Sequence, residues 1–183
     1  MKMIHLFIGF LLIALIQIFV PSHMIWKQED ILKSGNAYKF KTMPIDPTDP
    51  FRGKYITLNY EMNSMTITDT NLTYGDKVRV YIEKDDNGFA KAVSLSKKPL
   101  DGQKDYVTAK ITGNYKGVVN FELPFNRFYM EETKAKDAEV AYTKVNRDSL
   151  KQNVYAIVHV KNGQAVLKDV IIDGKPIQEY VEK

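Results

Sequence analysis

The pattern of apolar and polar positions changes character once along the chain. From residue 3 to residue 20 the only polar side chains are His5 and Gln17. A helix that crosses a bilayer needs roughly 20 mostly apolar residues. This run supplies them if it continues through Met24, Ile25 and Trp26. Trp26 and Lys27 then fall at the membrane interface, where an aromatic ring and an ammonium are both comfortable. Residues 1–26 therefore read as a transmembrane signal anchor. A removable signal peptide would have a shorter apolar stretch and a small-x-small cleavage site. No such triplet lies between Ile16 and Lys33. The stretch "PSHMIWKQEDILKSG" keeps a helical look, with Ser22 as a cap and Gly35 as a stop. It predicts a short helical stalk over residues 27–35.

Beyond Gly35 the period changes from helical to two. "AYKFKTM" puts Tyr38, Phe40 and Thr42 on one face. "KYITLNYEM" puts Ile56, Leu58, Tyr60 and Met62 on one face and Tyr55, Thr57 and Asn59 on the other. "KVRVYIEK" groups Val78, Val80 and Ile82. It is followed by "DDNG", in which Asn-Gly suits a tight primed turn, and by the return strand "FAKAVSLS". "DYVTAKIT" and "KGVVNFELP" form a further pair, with a turn expected around Gly113 and Asn114. "NVYAIVHVKNGQAVLKDVIIDG" is the clearest hairpin, turning at Asn162-Gly163. One interval differs: residues 131–149 are rich in helix formers, which predicts a helix near residues 131–146. The fold class is mainly β, a β-rich α+β arrangement. It consists of an N-terminal transmembrane helix, then an antiparallel β domain over residues 36–183 with about eight strands and one helix.

Composition narrows the function classes. Apolar residues make up 44% of 183, enough for a packed core. The formal net charge is +4, from 26 basic and 22 acidic residues. The lysines are scattered among the acids and arginine is scarce, which reads as a solvated surface and not as a nucleic-acid footprint. The absence of cysteine excludes disulfides, thiol catalysis and thiolate metal sites. The three histidines form no zinc pattern: His5 and His23 belong to the apolar segment, and His159 sits mid-strand. "EKDDNGF" lacks the spacing of a calcium loop. Neither a phosphate-cradling glycine loop nor a G-x-S-x-G elbow occurs. No cofactor, metal or catalytic residue is assigned.

Two stretches carry candidate binding residues. In "DPFRGKYITLNY", Pro47 and Pro50 hold Asp46 and Asp49 in extended or turn conformations, and Gly53 is expected at a left-handed backbone angle. That is a sufficient structural account. The functional account is that Asp46, Asp49, Arg52 and Tyr55 form one rim of a binding surface. "LPFNRFYMEE" mixes Arg127, Tyr129 and Glu131 with further aromatics. Arginine and tyrosine are favoured at protein contacts, and an Arg127–Glu131 ion pair is the plainer account.

"RGKYITLNY" resembles the signature of the GDYXXLXY proteins, a bacterial family. Gly53, Tyr55, Leu58 and Tyr60 stand at motif positions, while Lys54 stands where the family has aspartate. "PIDPTDPFRG", "GDKVRVYIEKDDNGFAKAVSLSKKP", "LPFNRFYMEE" and "AVLKDVIIDGKP" are similar to further segments of the family, in the same order. The resemblance implies a membrane-anchored protein of unknown biochemical activity, often associated with multi-span membrane proteins. It supplies no catalytic roles, and the Lys54 departure argues against any chemistry that rests on the aspartate.

The reading that follows is a single-pass bacterial membrane protein with its C-terminal domain outside the cytoplasm. Its function is that of a non-enzymatic interaction or assembly partner of another envelope or integral membrane protein. The alternative is an extracytoplasmic enzyme or small-ligand binder that uses the loop 46–55.

Overall fold

The computed structural model describes residues 2–43, 55–67, 71–100, 102, 105–130, 137–138, 140 and 154–180. Helix α1 (Lys2–Ser34) runs without a break through Pro21. No separate helix begins at Ser22. Its hydroxyl donates instead to the Ile18 carbonyl one turn back, at 2.8 Å. The helix is long and apolar enough to cross a membrane, and its apolar stretch is not buried among the described residues. It stops at Gly35, whose N–H donates to the Ile31 carbonyl at 2.9 Å. The position needs glycine for space: a Cβ there would stand 2.5 Å from the Ile31 carbonyl oxygen and 3.0 Å from that of Val160.

Twelve strands follow among the described residues: β1 (Asn36–Met43), β2 (Tyr55–Thr57), β3 (Asn59–Tyr60), β4 (Ser64–Thr66), β5 (Lys77–Lys84), β6 (Ala90–Ser96), β7 (Tyr106–Tyr115), β8 (Val118–Glu122), β9 (Arg127–Tyr129), β10 (Val154–Lys161), β11 (Gln164–Ile172) and β12 (Lys175–Pro176). A single helical turn, α2 (Ile177–Tyr180), closes the described chain. One five-stranded sheet has the order β12-β11-β10-β1-β3, another the order β4-β8-β7-β5-β6, and β2 and β9 form a ribbon of their own. The strand pairings are antiparallel. Single parallel bridges, Lys39 to Phe89 and Val107 to Gly163, stitch the two large sheets together.

The period-two reading places the core well. In β1 the buried set is Tyr38, Phe40 and Thr42. In β10 it is Val154, Ala156, Val158 and Val160. Thr42 apart, these meet Val78, Val80 and Ile82 of β5 and Val107, Ala109 and Ile111 of β7 in one apolar cluster. Phe40, Tyr60 and Phe125 pack edge to face there, with ring centroids 4.9–5.8 Å apart. The Tyr60 hydroxyl is satisfied by donating to the Phe125 carbonyl at 2.8 Å, as a buried phenol requires.

Several expectations are corrected. "KYITLNYEM" is not one strand. Tyr55–Thr57 pairs with β9, Asn59 and Tyr60 pair with β1, and Leu58 between them donates its N–H to Asn126. The run switches partners and keeps its inward face, so the strand count exceeds eight. The β7–β8 turn lies at Lys116-Gly117, with φ of 50° and 81°, and not at Gly113-Asn114. Gly113 and Asn114 stay in β7, just past a register shift after Ile111. The Asn114 amide reaches out to the Leu72 carbonyl at 3.0 Å. At "DDNG" only Gly88 has positive φ. The loop is a three-residue turn in which the Asp85 carboxylate accepts the N–H groups of Asn87 and Phe89. Asn162-Gly163 does form the primed two-residue turn, and Asp173-Gly174 forms another. Of the helix expected near 131–146, the described residues Asp137, Ala138 and Val140 are helical and Ala138 is fully buried. The remainder lies outside the described residues.

Candidate functional site

The ribbon of β2 and β9 brings together two stretches that are about 70 residues apart in sequence. Tyr55 pairs with Tyr129, Ile56 with Phe128, and Thr57 with Arg127. The period of two then sorts the six side chains. Ile56 and Phe128 are buried in the core, with 1% and 6% of their surface exposed. Tyr55, Tyr129, Thr57 and Arg127 stand on the outer face. The Tyr55 and Tyr129 rings lie 5.4 Å apart. The Arg127 guanidinium sits 5.0 Å from the centre of the Tyr55 ring, a cation–π arrangement. Tyr129 keeps 63% of its surface in solvent. Arg127 is exposed and Tyr55 half-buried.

Of the candidate residues, Tyr55, Arg127 and Tyr129 thus converge. Asp46, Asp49, Arg52 and Glu131 lie outside the described residues, as does Gly53 with its expected backbone angle. Leu58 and Tyr60 of the motif are buried. With Ile56 they tie the ribbon to the core, so these three residues of "YITLNY" are structural, and of its two tyrosines Tyr55 is the one on the outer face.

Two clefts flank the ribbon. One, of about 440 Å³, opens between residues 57–63 and the β8 strand. The other, of about 650 Å³, lies between β7, the β8–β9 connection and the β10–β11 turn, and Arg127 forms part of its rim. Its lysines, Lys77 and Lys110, carry no signal in the sequence alone. They look like any outward residue of an alternating strand until the pairing sets them side by side.

Titrating groups with shifted affinities lie away from the ribbon. The Lys97 ammonium, 2.6 Å from Asp76, and the N–H and hydroxyl of Thr73 hold the Asp76 carboxyl at about 2. Burial, and a 2.6 Å hydrogen bond to the Asp105 carboxylate, push the Tyr38 phenol well up. Both arrangements pin loops to strands. Among the described residues, no group of three or more His, Cys, Asp or Glu side chains could hold a metal ion. The outer face of the ribbon presents two large rings and a guanidinium, seated on the core below.

A family model described as "GDYXXLXY protein" matches residues 17–170. No curated protein and no solved structure gives a significant match. The matched span takes in the second half of α1, both strands of the ribbon and the β10–β11 hairpin up to Val170. By a match over most of its length, this chain belongs to the GDYXXLXY protein family.

Proposed function

We propose that this protein is a membrane-anchored domain that acts without catalysis of its own, as an interaction or assembly partner of another envelope protein, most naturally an integral one. The family match and α1 fit a membrane anchor. The observation that carries the reading is the outer face of the β2–β9 ribbon, where the tilted Tyr55 and Tyr129 rings and the Arg127 guanidinium form one cluster, with Tyr129 and Arg127 exposed. Tyrosine and arginine dominate the energetics of protein contacts, because each offers a large rigid area together with hydrogen-bonding capacity. A cluster fixed from beneath by Ile56 and Phe128 loses little entropy when a partner covers it.

The continuity of α1 into the domain adds a constraint on the partner. Ile31 is buried, and Asp30 is bonded to Lys161 at 2.7 Å, only about one helical turn beyond Trp26. A domain held this close to a bilayer meets membrane proteins more readily than soluble ones.

Affinity capture of the full chain from native membranes in mild detergent tests the reading. A membrane protein should co-purify with the wild type. Its recovery should fall at least about tenfold for Arg127→Ala or Tyr129→Ala, since truncation of such residues at an interface centre costs about 2 kcal/mol or more. Unchanged recovery with both folded variants overturns the assignment of this face. Orientation is open to thiol labelling from either side, because the chain has no cysteine of its own to interfere. A single cysteine introduced at Lys175 should react from outside the cytoplasm.

A further inference from the structure

The cleft of about 650 Å³ carries Lys77, Lys110 and Arg127 against one carboxylate, that of Glu122. Lys77 on β5 and Lys110 on β7 are directly opposed in the ladder, so their side chains rise from the same face. Like charges opposed in this way destabilise a sheet. Two other lysines are answered by carboxylates: Lys97 by Asp76 at 2.6 Å and Lys161 by Asp30 at 2.7 Å. Among the described residues, no carboxylate forms an ion pair with Lys77, Lys110 or Arg127. Glu122 is the partner of Lys110 on the other side, and its carboxylate accepts from the Asn126 amide at 2.7 Å. Among the described residues, the cleft therefore gathers three positive groups against one carboxylate.

We propose that this cleft binds a phosphoryl anion, either the headgroup phosphate of an anionic phospholipid or a free phosphate ester of the same kind. A phosphoryl group presents several acceptor oxygens at once. It can take hydrogen bonds from two ammoniums and a guanidinium together, where a lone carboxylate would satisfy fewer. Thr108 and Gln164 add neutral donors on two walls, and Leu123 and Ala165 give an apolar side suited to a glycerol or acyl carbon. The placement favours a ligand at the membrane. One wall belongs to the β10–β11 turn, and Lys161 at that turn holds Asp30 near the end of α1. The cleft shares Arg127 with the partner-binding face above, but Lys77 and Lys110 lie off the aromatic cluster, so variants of the two lysines test this site separately from that reading.

The test uses the full chain in neutral detergent, with binding followed by native mass spectrometry. Phosphatidylglycerol is titrated in one arm, glycerol phosphate in a second, and phosphatidylcholine and a short Glu-rich peptide serve as comparisons. Expected is saturable phosphatidylglycerol binding that weakens with added salt. Lys77→Gln or Lys110→Gln should weaken it about tenfold, the loss of one charge-assisted hydrogen bond. Lys91→Gln, off the cleft, should leave it unchanged. Lys77→Gln also removes the opposed charge, so its melting temperature in the absence of ligand should equal or exceed that of the wild type while binding falls. That pairing distinguishes a binding lysine from a structural one and guards against a misfolded variant. Glycerol phosphate binding with the same dependence on the variants, without lipid binding, supports the site and assigns it a free ester. Equal binding of lipid by wild type and both cleft variants overturns the proposal, as does tighter binding of the acidic peptide than of either phosphoryl compound.

Discussion

The joint between α1 and the end of β10 and the outer face of the β2–β9 ribbon are built by opposite rules. At the joint the helix end and the sheet are locked together. Ile31 is buried, Lys161 bonds both Asp30 and Ser34 at 2.7 Å, and Gly35 fits where no side chain would. On the ribbon, two tyrosine rings lie tilted against each other with an arginine over one of them, and Tyr129 and Arg127 face water. The joint is what an element looks like when its partner is already present. The ribbon keeps its stiffness on one side and leaves the other open. The difference teaches where to look for a partner: at large exposed side chains whose immediate neighbours are core.

The sharpest way to break the comparison lies inside the ribbon itself. Phe128 and Tyr129 are adjacent, yet one is buried and the other 63% exposed. Phe128→Ala should destabilise the domain by about 3–5 kcal/mol, as deletion of a buried aromatic does. Denaturant melting measures this, and a loss below about 1 kcal/mol would mean that the ribbon is not seated on the core. Next comes the joint. Gly35→Ala places a methyl against two backbone oxygens that cannot rotate away, and overpacking of this kind costs about 1–3 kcal/mol. A neutral result in the same melt would show that the helix end moves freely against β10.

Acid should loosen the joint before it affects the ribbon. The His159 imidazole lies beside the end of α1. Burial, aided by the Lys168 ammonium, lowers its proton affinity, and the Gly35 backbone works in part the other way. Its Nδ1 is buried without a hydrogen-bond partner among the described residues. The neutral ring is the form the fold accommodates. Its contribution to stability is complete above the ordinary imidazole range and is lost as pH falls through the lowered folded value. Asp30 acts at still lower pH. The Lys161 hydrogen bond holds its carboxyl below the ordinary carboxylate range, so its contribution is complete above that range and is lost as pH falls through the folded value. Melting temperatures recorded from neutral to acidic pH should therefore drop in two stages. His159→Gln should flatten the first stage and Asp30→Asn the second. Identical profiles for wild type and both variants would remove the joint as the source. The smallest effect is expected at the open face, where Tyr129→Ala should change stability by no more than about 0.5 kcal/mol. A larger loss would make that ring part of the core and reverse the comparison.

Some of this was legible in the sequence for a simple reason. An apolar run of membrane-spanning length and a period-two alternation are local statements, and burial obeys them almost regardless of context. Val154, Ala156, Val158 and Val160 alternate in the sequence and are all buried. Asn162-Gly163 turns where it should because both residues tolerate positive φ. The failures concern competition between local options. Lys116-Gly117 took the turn that Gly113-Asn114 offered equally well, because a register shift after Ile111 kept the latter pair inside the β7–β8 ladder. Ser22 did not cap a new helix, because its hydroxyl bonded back to Ile18 inside a continuing one.

By itself the sequence determined the apolar N-terminal helix, the β-rich body, the inward face of most strands and the family, because each rests on residue type and spacing along one segment. Only the tertiary structure decided that Tyr55 and Tyr129 share a ribbon, that Arg127 lies over a ring, and that Lys77 and Lys110 stand opposed above one cleft. Those facts depend on which strands pair and in what register. Pairing is settled by the whole core at once, by how Phe40, Tyr60 and Phe125 fill it, and no single segment contains that information.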